Sequence, residues 1–114
     1  IKEATWLSLF LLLIGVLKHC RVSGNSMLPT IKPNDLIIYK RFNSNNFEPK
    51  AGLIIVVKNP LDKQKLLIKR IASFTSKELF VKGDNDEESW DSRHFGHINY
   101  SSIKGIVTNI MPKK

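Results

Sequence analysis

The chain is short of several things, and each shortage narrows what it can be. It has a single cysteine, Cys20, in 114 residues, so no intrachain disulfide can form and the redox compartment is left open. It has no internal repeat and no low-complexity tract, so neither a repeat array nor a disordered linker is indicated. Acids are scarce: 10 Asp and Glu against 18 Lys and Arg. Half of them (Asp84, Asp86, Glu87, Glu88 and Asp91) crowd into one short stretch, which leaves the rest more basic still. Such a surplus suits anionic partners. No groove-reading or base-stacking motif accompanies the lysines, which argues against nucleic acid and leaves anionic lipid or a plainly solvated basic surface. Long apolar runs are lacking too. The longest, Trp6 to Leu17, covers about a dozen residues, where a helical membrane span needs roughly 20.

That run, W-L-S-L-F-L-L-L-I-G-V-L, is apolar all round rather than on one face, unlike an amphipathic surface helix. Lys18, His19 and Arg21 follow it where a cleavable signal would carry small residues, and they do not form a lipobox. The reading is an N-terminal apolar anchor helix over residues 1–19, or the remnant of one in a chain that starts at Ile1 rather than Met. A buried helix is the alternative. Lys18 and Arg21 beside the run favour a cytoplasmic C-terminal domain by the positive-inside tendency.

Past Cys20 the pattern changes to short apolar runs between turn residues. Asp35–Phe42 reads as a strand entered from the Pro33-Asn34 turn, and 43–50 as a loop. Gly52–Val57, a nearly continuous β-branched run, reads as a strand buried on both faces. Asn59-Pro60-Leu61-Asp62 is a turn, and strands follow at Leu66–Ala72, Glu78–Lys82 and Ser102–Ile110. Five or six strands with no second helix predict an all-β domain over 20–114, a partly closed barrel or folded sandwich.

Two residues stand out for chemistry. Ser26 sits in V-S-G-N-S-M-L-P-T-I, held between a glycine turn and a proline. A surface turn or a helix cap would explain it, and so would a nucleophile, which needs an adjacent base. His19, His94 and His97 are available, but no spacing singles out a Ser-His-Asp triad. In L-L-I-K-R-I, strand alternation puts Leu67, Lys69 and Ile71 on one face and Leu66, Ile68 and Arg70 on the other. Arg cannot release its proton in a protein, whereas a desolvated Lys can. Lys69 is therefore a candidate base for Ser26, against the ordinary outcome of a strand lysine reaching to solvent.

Taken in order, these segments resemble the type I signal peptidase family, membrane-bound serine proteases with a Ser/Lys dyad. S-G-N-S-M-L-P-T is similar to its nucleophile box, K-A-G-L-I-I-V-V-K-N-P to the next core strand, L-I-K-R-I to the general-base box, and G-D-N-D-E-E-S-W-D-S-R to its last box. The resemblance implies the family's all-β catalytic core, Ser26 as nucleophile and Lys69 as base. It further implies Ser89 hydrogen-bonded to that lysine, Asp91 and Arg93 paired to brace the site, and Met27 in substrate binding. It implies no metal or other cofactor, a polypeptide substrate with an N-terminal extension, and contact with membrane lipid. The oligomeric state is not implied. Some members carry a serine hydroxyl two residues before the nucleophile as an oxyanion donor; here that position is Gly24. Only twelve residues separate Arg70 from Gly83, too few for the extra β-domain of larger members. This minimal layout, with D-S-R-H-F-G, most resembles the proteases that mature nickel-type superoxide dismutase. General removal of secretory signal peptides is the alternative substrate, and a catalytically silent, membrane-tethered binding domain the alternative class.

Overall fold

The computed structural model describes residues 17–41 and 47–113. Seven strands form one antiparallel sheet: β1 (Leu17–Arg21), β2 (Leu36–Arg41), β3 (Ile54–Asn59), β4 (Asp62–Phe74), β5 (Glu78–Lys82), β6 (Ile98–Asn99) and β7 (Ile103–Met111). Their order across the sheet is β1-β2-β7-β3-β4-β5-β6. One helical turn, α1 (Ser92–Phe95), and a 3-10 turn at Tyr100–Ser102 lie between β5 and β7.

The sequence dictates the centre of this sheet. In β3 the four residues Ile54–Val57 are all buried, and alternation sends them to opposite sides. Ile54 and Val56 join Val22, Met27, Ile31, Ile37, Tyr39 and Val107 in one apolar cluster. Ile55 and Val57 join Ile71, Leu79, Val81, Ile98 and Ile103 in a second. The β3–β4 hairpin closes over Pro60-Leu61, where the Asn59 side-chain oxygen accepts the Leu61 N–H at 2.9 Å, an Asx turn of the kind these residues favour.

Three expectations are corrected. The sheet is open, with β1 and β6 as its outer strands, and does not close into a barrel. Its two apolar faces are covered instead by connecting segments: Val22–Ile31 plugs one, and Phe47, Leu53, Phe95 and Tyr100 pack on the other. Next, Leu17–Arg21 is strand and not the end of a helix, because it pairs in register with β2 from Leu17↔Lys40 to Arg21↔Leu36. The rest of the anchor assignment, 1–16, lies outside the described residues. No helix among the described residues is long and apolar enough to cross a membrane. Finally, a second helical element does occur at Ser92–Phe95. Asp91 caps it by accepting the Arg93 N–H, while His94 Nδ1 accepts the Asp91 N–H, a reciprocal box.

Candidate active site

The loop that carries Ser26 is anchored from both sides of it. Before it, the Val22 N–H donates to the Asp35 carbonyl at 3.0 Å and the Asn34 N–H to the Val22 carbonyl at 2.8 Å. Gly24 then turns with φ of 83°, a left-handed conformation natural to glycine. After it, Met27 and Ile31 are sunk in the first apolar cluster. Ser26 itself stays partly exposed. Its hydroxyl and its N–H have no hydrogen-bond partner among the described residues, so both are free to act on something bound.

The turn after β5 grips the same loop. The Asn85 N–H donates to the Ser26 carbonyl at 2.9 Å, and the Asn85 side-chain amide donates to the Asn25 carbonyl at 3.0 Å. Gly83 fits so closely that an added Cβ would strike Ser89 Oγ and stand 2.5 Å from the Ser26 carbonyl oxygen. Only glycine fits there.

Lys69 enters this junction from β4. It is 2% exposed, and its Nζ donates to Ser89 Oγ at 3.2 Å. It forms no ion pair among the described residues. Burial lowers its pKa from the usual lysine value of 10.5, Asp91 pulls it partly back, and the Arg93 charge lowers it again. The amine is thus available uncharged at a lower pH than an ordinary lysine.

Ser89 is held in turn by Asp91, to which its hydroxyl donates at 2.6 Å, and it accepts the Gly83 N–H at 3.1 Å. Asp91 is fully buried and also accepts the Gly83 N–H at 2.9 Å. The Arg93 guanidinium grips both carboxylate oxygens, at 2.9 and 2.8 Å, so the pair is not the surface contact its sequence position allows. Burial alone would raise the Asp91 pKa; hydrogen bonds from Arg93, Ser89 and the Gly83 N–H outweigh it and hold the carboxyl well below the usual range. The same bonds raise Arg93 further above its ordinary value.

Sequence reasoning missed a second clamp. Arg70 grips Asp84 with Nε at 2.9 Å and Nη2 at 2.8 Å, and Thr30 Oγ1 donates to the same carboxylate at 2.6 Å. This ties the far end of the Ser26 loop to β4. The G-D-N turn was the available signal, and by residue type alone it reads as an ordinary turn.

A groove of about 390 Å³ opens beside Ser26. Cys20 and Arg21 of β1 form one wall, Leu66 and Ile68 of β4 the other, and Met27 contributes to its lining. Met27 is thus both a core residue and a groove residue. No histidine lines it: His19 is exposed on β1, His94 caps α1, and His97 packs edge-on against Phe80. Among the described residues no group of three or more His, Cys, Asp or Glu could hold a metal ion.

Lys69 Nζ bonds Ser89 and makes no hydrogen bond to Ser26 among the described residues; the two are linked through Ser89, Gly83 and the turn at Asn85 that holds the Ser26 carbonyl. The comparisons give the family. The chain matches the family described as signal peptidase, peptidase S26, over residues 4–75 and 73–111. It is 30% identical to mitochondrial ATP-independent inner membrane protease subunit 1a of Arabidopsis thaliana, across 79% of this chain and 67% of that one. It is 25% identical to mitochondrial inner membrane protease subunit 1 of the mouse, Mus musculus, across 82% of this chain and 74% of that one. Subunit 2 of that protease in Danio rerio is also 25% identical, over 80% of this chain and 62% of the relative. The chain belongs to the S26 signal peptidase family.

Proposed function

We propose that the protein is a serine endopeptidase with a Ser26/Lys69 dyad that removes an N-terminal signal or pro-peptide from a polypeptide at a membrane. The observation that carries this reading is Lys69: a desolvated amine with no ion pair among the described residues, hydrogen-bonded to the Ser89 hydroxyl beside the turn that grips the Ser26 carbonyl.

The chemistry follows from those groups. Uncharged Lys69 takes the Ser26 proton as Oγ attacks the scissile carbonyl. The unpartnered Ser26 N–H donates to the oxyanion that forms. Collapse of the tetrahedral intermediate expels the new amine, which receives the proton from the Lys69 ammonium, and leaves an acyl-enzyme. Water then repeats the sequence with Lys69 again as base. Ser89 keeps the lysine side chain in place through its bond to Nζ, and Asp91 with Arg93 fixes Ser89. Met27 shapes the groove floor next to the scissile position.

Membrane association rests on the apolar run that begins at Trp6 and on the relatives' names as inner membrane proteases. Those names suit proteolysis at a membrane, with general signal-peptide removal as one substrate reading. The short layout with D-S-R-H-F-G favours maturation of an N-terminally extended nickel dismutase. One experiment separates them: the protein is incubated with a secretory preprotein and with the extended dismutase, and the new termini are sequenced. A cut in either that disappears in Ser26→Ala and in Lys69→Met supports the dyad. Cleavage that survives both substitutions, or no cleavage of any peptide, removes it and leaves the binding-domain class.

A further inference from the structure

A second hollow adjoins the Ser26 groove. It measures about 310 Å³ and is lined by Lys18, Tyr39, Arg41, Leu66 and Lys104. Leu66 belongs to both hollows, so one trough runs from Ser26 past Leu66 to a far end framed by three cations. Strand register supports the continuity. Lys18 pairs directly with Tyr39, so both face the same side of the sheet, and Cys20, two residues further along β1, faces it as well. Arg21 and Lys65, which line the Ser26 hollow, add further positive charge along the path.

None of the Lys18, Arg41 or Lys104 side chains has a hydrogen-bond or ion-pair partner among the described residues, and no carboxylate lines the hollow. Three unneutralised cations around a half-enclosed space raise the local potential there. The β1 wall from Arg21 back to Lys18 is about 10 Å of extended chain. A peptide lying extended along the trough with its scissile bond at Ser26 would therefore bring a side chain three to five residues away into the hollow.

We infer that this cationic end is a specificity subsite selecting an acidic side chain, Asp or Glu, three to five residues from the cleaved bond of an extended peptide substrate. The inference rests on the peptidase reading above. A membrane phosphate is the other anion that such a cluster could meet. The shared Leu66 and the common side of the sheet favour the peptide, because they place the charges along the path to Ser26.

The test uses the full chain and a set of cleavable peptides that differ only in carrying Glu or Gln at each of the five positions on either side of the bond. At one position three to five residues from the bond, Glu should exceed Gln in kcat/KM by about fivefold, the size of a partly exposed charge contact. The gain should appear in KM rather than kcat, as uniform binding does, and shrink as salt rises. Lys18→Gln with Arg41→Gln and Lys104→Gln should bring the Glu/Gln ratio to one, while Lys77→Gln, outside the trough, leaves it unchanged. If that triple variant does not fold, the ratio and its salt dependence in the unaltered protein decide the matter alone. Equal rates for Glu and Gln at every position overturn the subsite while the peptidase stands. So does a ratio of one combined with binding of phosphatidylglycerol vesicles that needs these three cations. Failure to cleave any peptide removes the peptidase reading itself.

Discussion

Two arginine–aspartate clamps flank the candidate dyad, and they differ in what they hold. Arg70–Asp84 lies at the rim: the side chains are 33% and 18% exposed, and the clamp fastens the Ser26 loop through Thr30. Arg93–Asp91 closes inward on a fully buried carboxylate that holds Ser89 and, through it, Lys69. The rim clamp positions backbone, whereas the inner clamp sets the surroundings of an ionisable group. Both members of the inner clamp, Asp91 and Arg93, act on the Lys69 charge, in opposite directions, whereas Arg70 and Asp84 are not among its causes. Similar pairs of residues therefore do different work, and burial is what separates them.

The comparison can be broken first at the group both clamps serve. Lys69→Met should lower kcat/KM by about 10² to 10⁴, the range for a lost general base, with the fold retained in circular dichroism. A smaller loss would mean that the inner clamp guards nothing catalytic. The next effect is on stability. Asp91→Ala leaves the Ser89 hydroxyl and the Arg93 guanidinium short of their acceptor and should cost about 2 kcal/mol in urea unfolding. Asp84→Ala, at the rim, should cost under about 1 kcal/mol. Equal costs would erase the distinction between the clamps.

Acid should reveal the same contrast. The depressed Asp91 pKa contributes stability that is fully present above the unfolded value near 3.8 and is lost as pH falls below it toward the folded value. Asp84, lowered by its Arg70 hydrogen bond, acts with the same sign. Urea midpoints measured from pH 6 down to pH 2 should fall less steeply in Asp91→Asn than in the unaltered chain.

The smallest effect is a shift rather than a loss. Activity should rise with pH through a group titrating below 10.5, because burial favours the uncharged Lys69 amine. Asp91 favours the ammonium, so Asp91→Asn should move that rise to lower pH, while Asp84→Asn leaves it in place. Linkage runs in the same direction. Folding with an uncharged Lys69 becomes easier as pH climbs from the folded pKa toward 10.5, so the burial penalty is greatest below that window.

Much of this was legible in the chain, and what was not has physical causes. The turn at Pro60-Leu61 and strand β5 stand where residue patterning puts them, since hairpin chemistry and period-two burial are local properties. β1 was hidden because K-H-C-R has no apolar alternation: its pairing is supplied by β2, whose residues follow it after the Ser26 loop. Patterning predicts a partly closed barrel or folded sandwich where the sheet is open, because alternation reports which side a residue faces, not whether the outer strands meet. At the candidate site, local chemistry marks Ser26 and Lys69 as candidates, and their proposed roles come from the family resemblance. Asn85 and the Thr30–Asp84–Arg70 clamp are not marked in this way, because an amide in a turn carries no mark of the carbonyl it will bind.

By itself the sequence determined which groups are present and which way each strand residue points, because residue chemistry and a two-residue repeat are properties of neighbours along the chain. Only the folded chain decided that Lys69 would lose its water while Arg70 kept some of its own. Desolvation depends on β3, Ser89 and Asp91 arriving from elsewhere in the sequence, and no local pattern records their arrival.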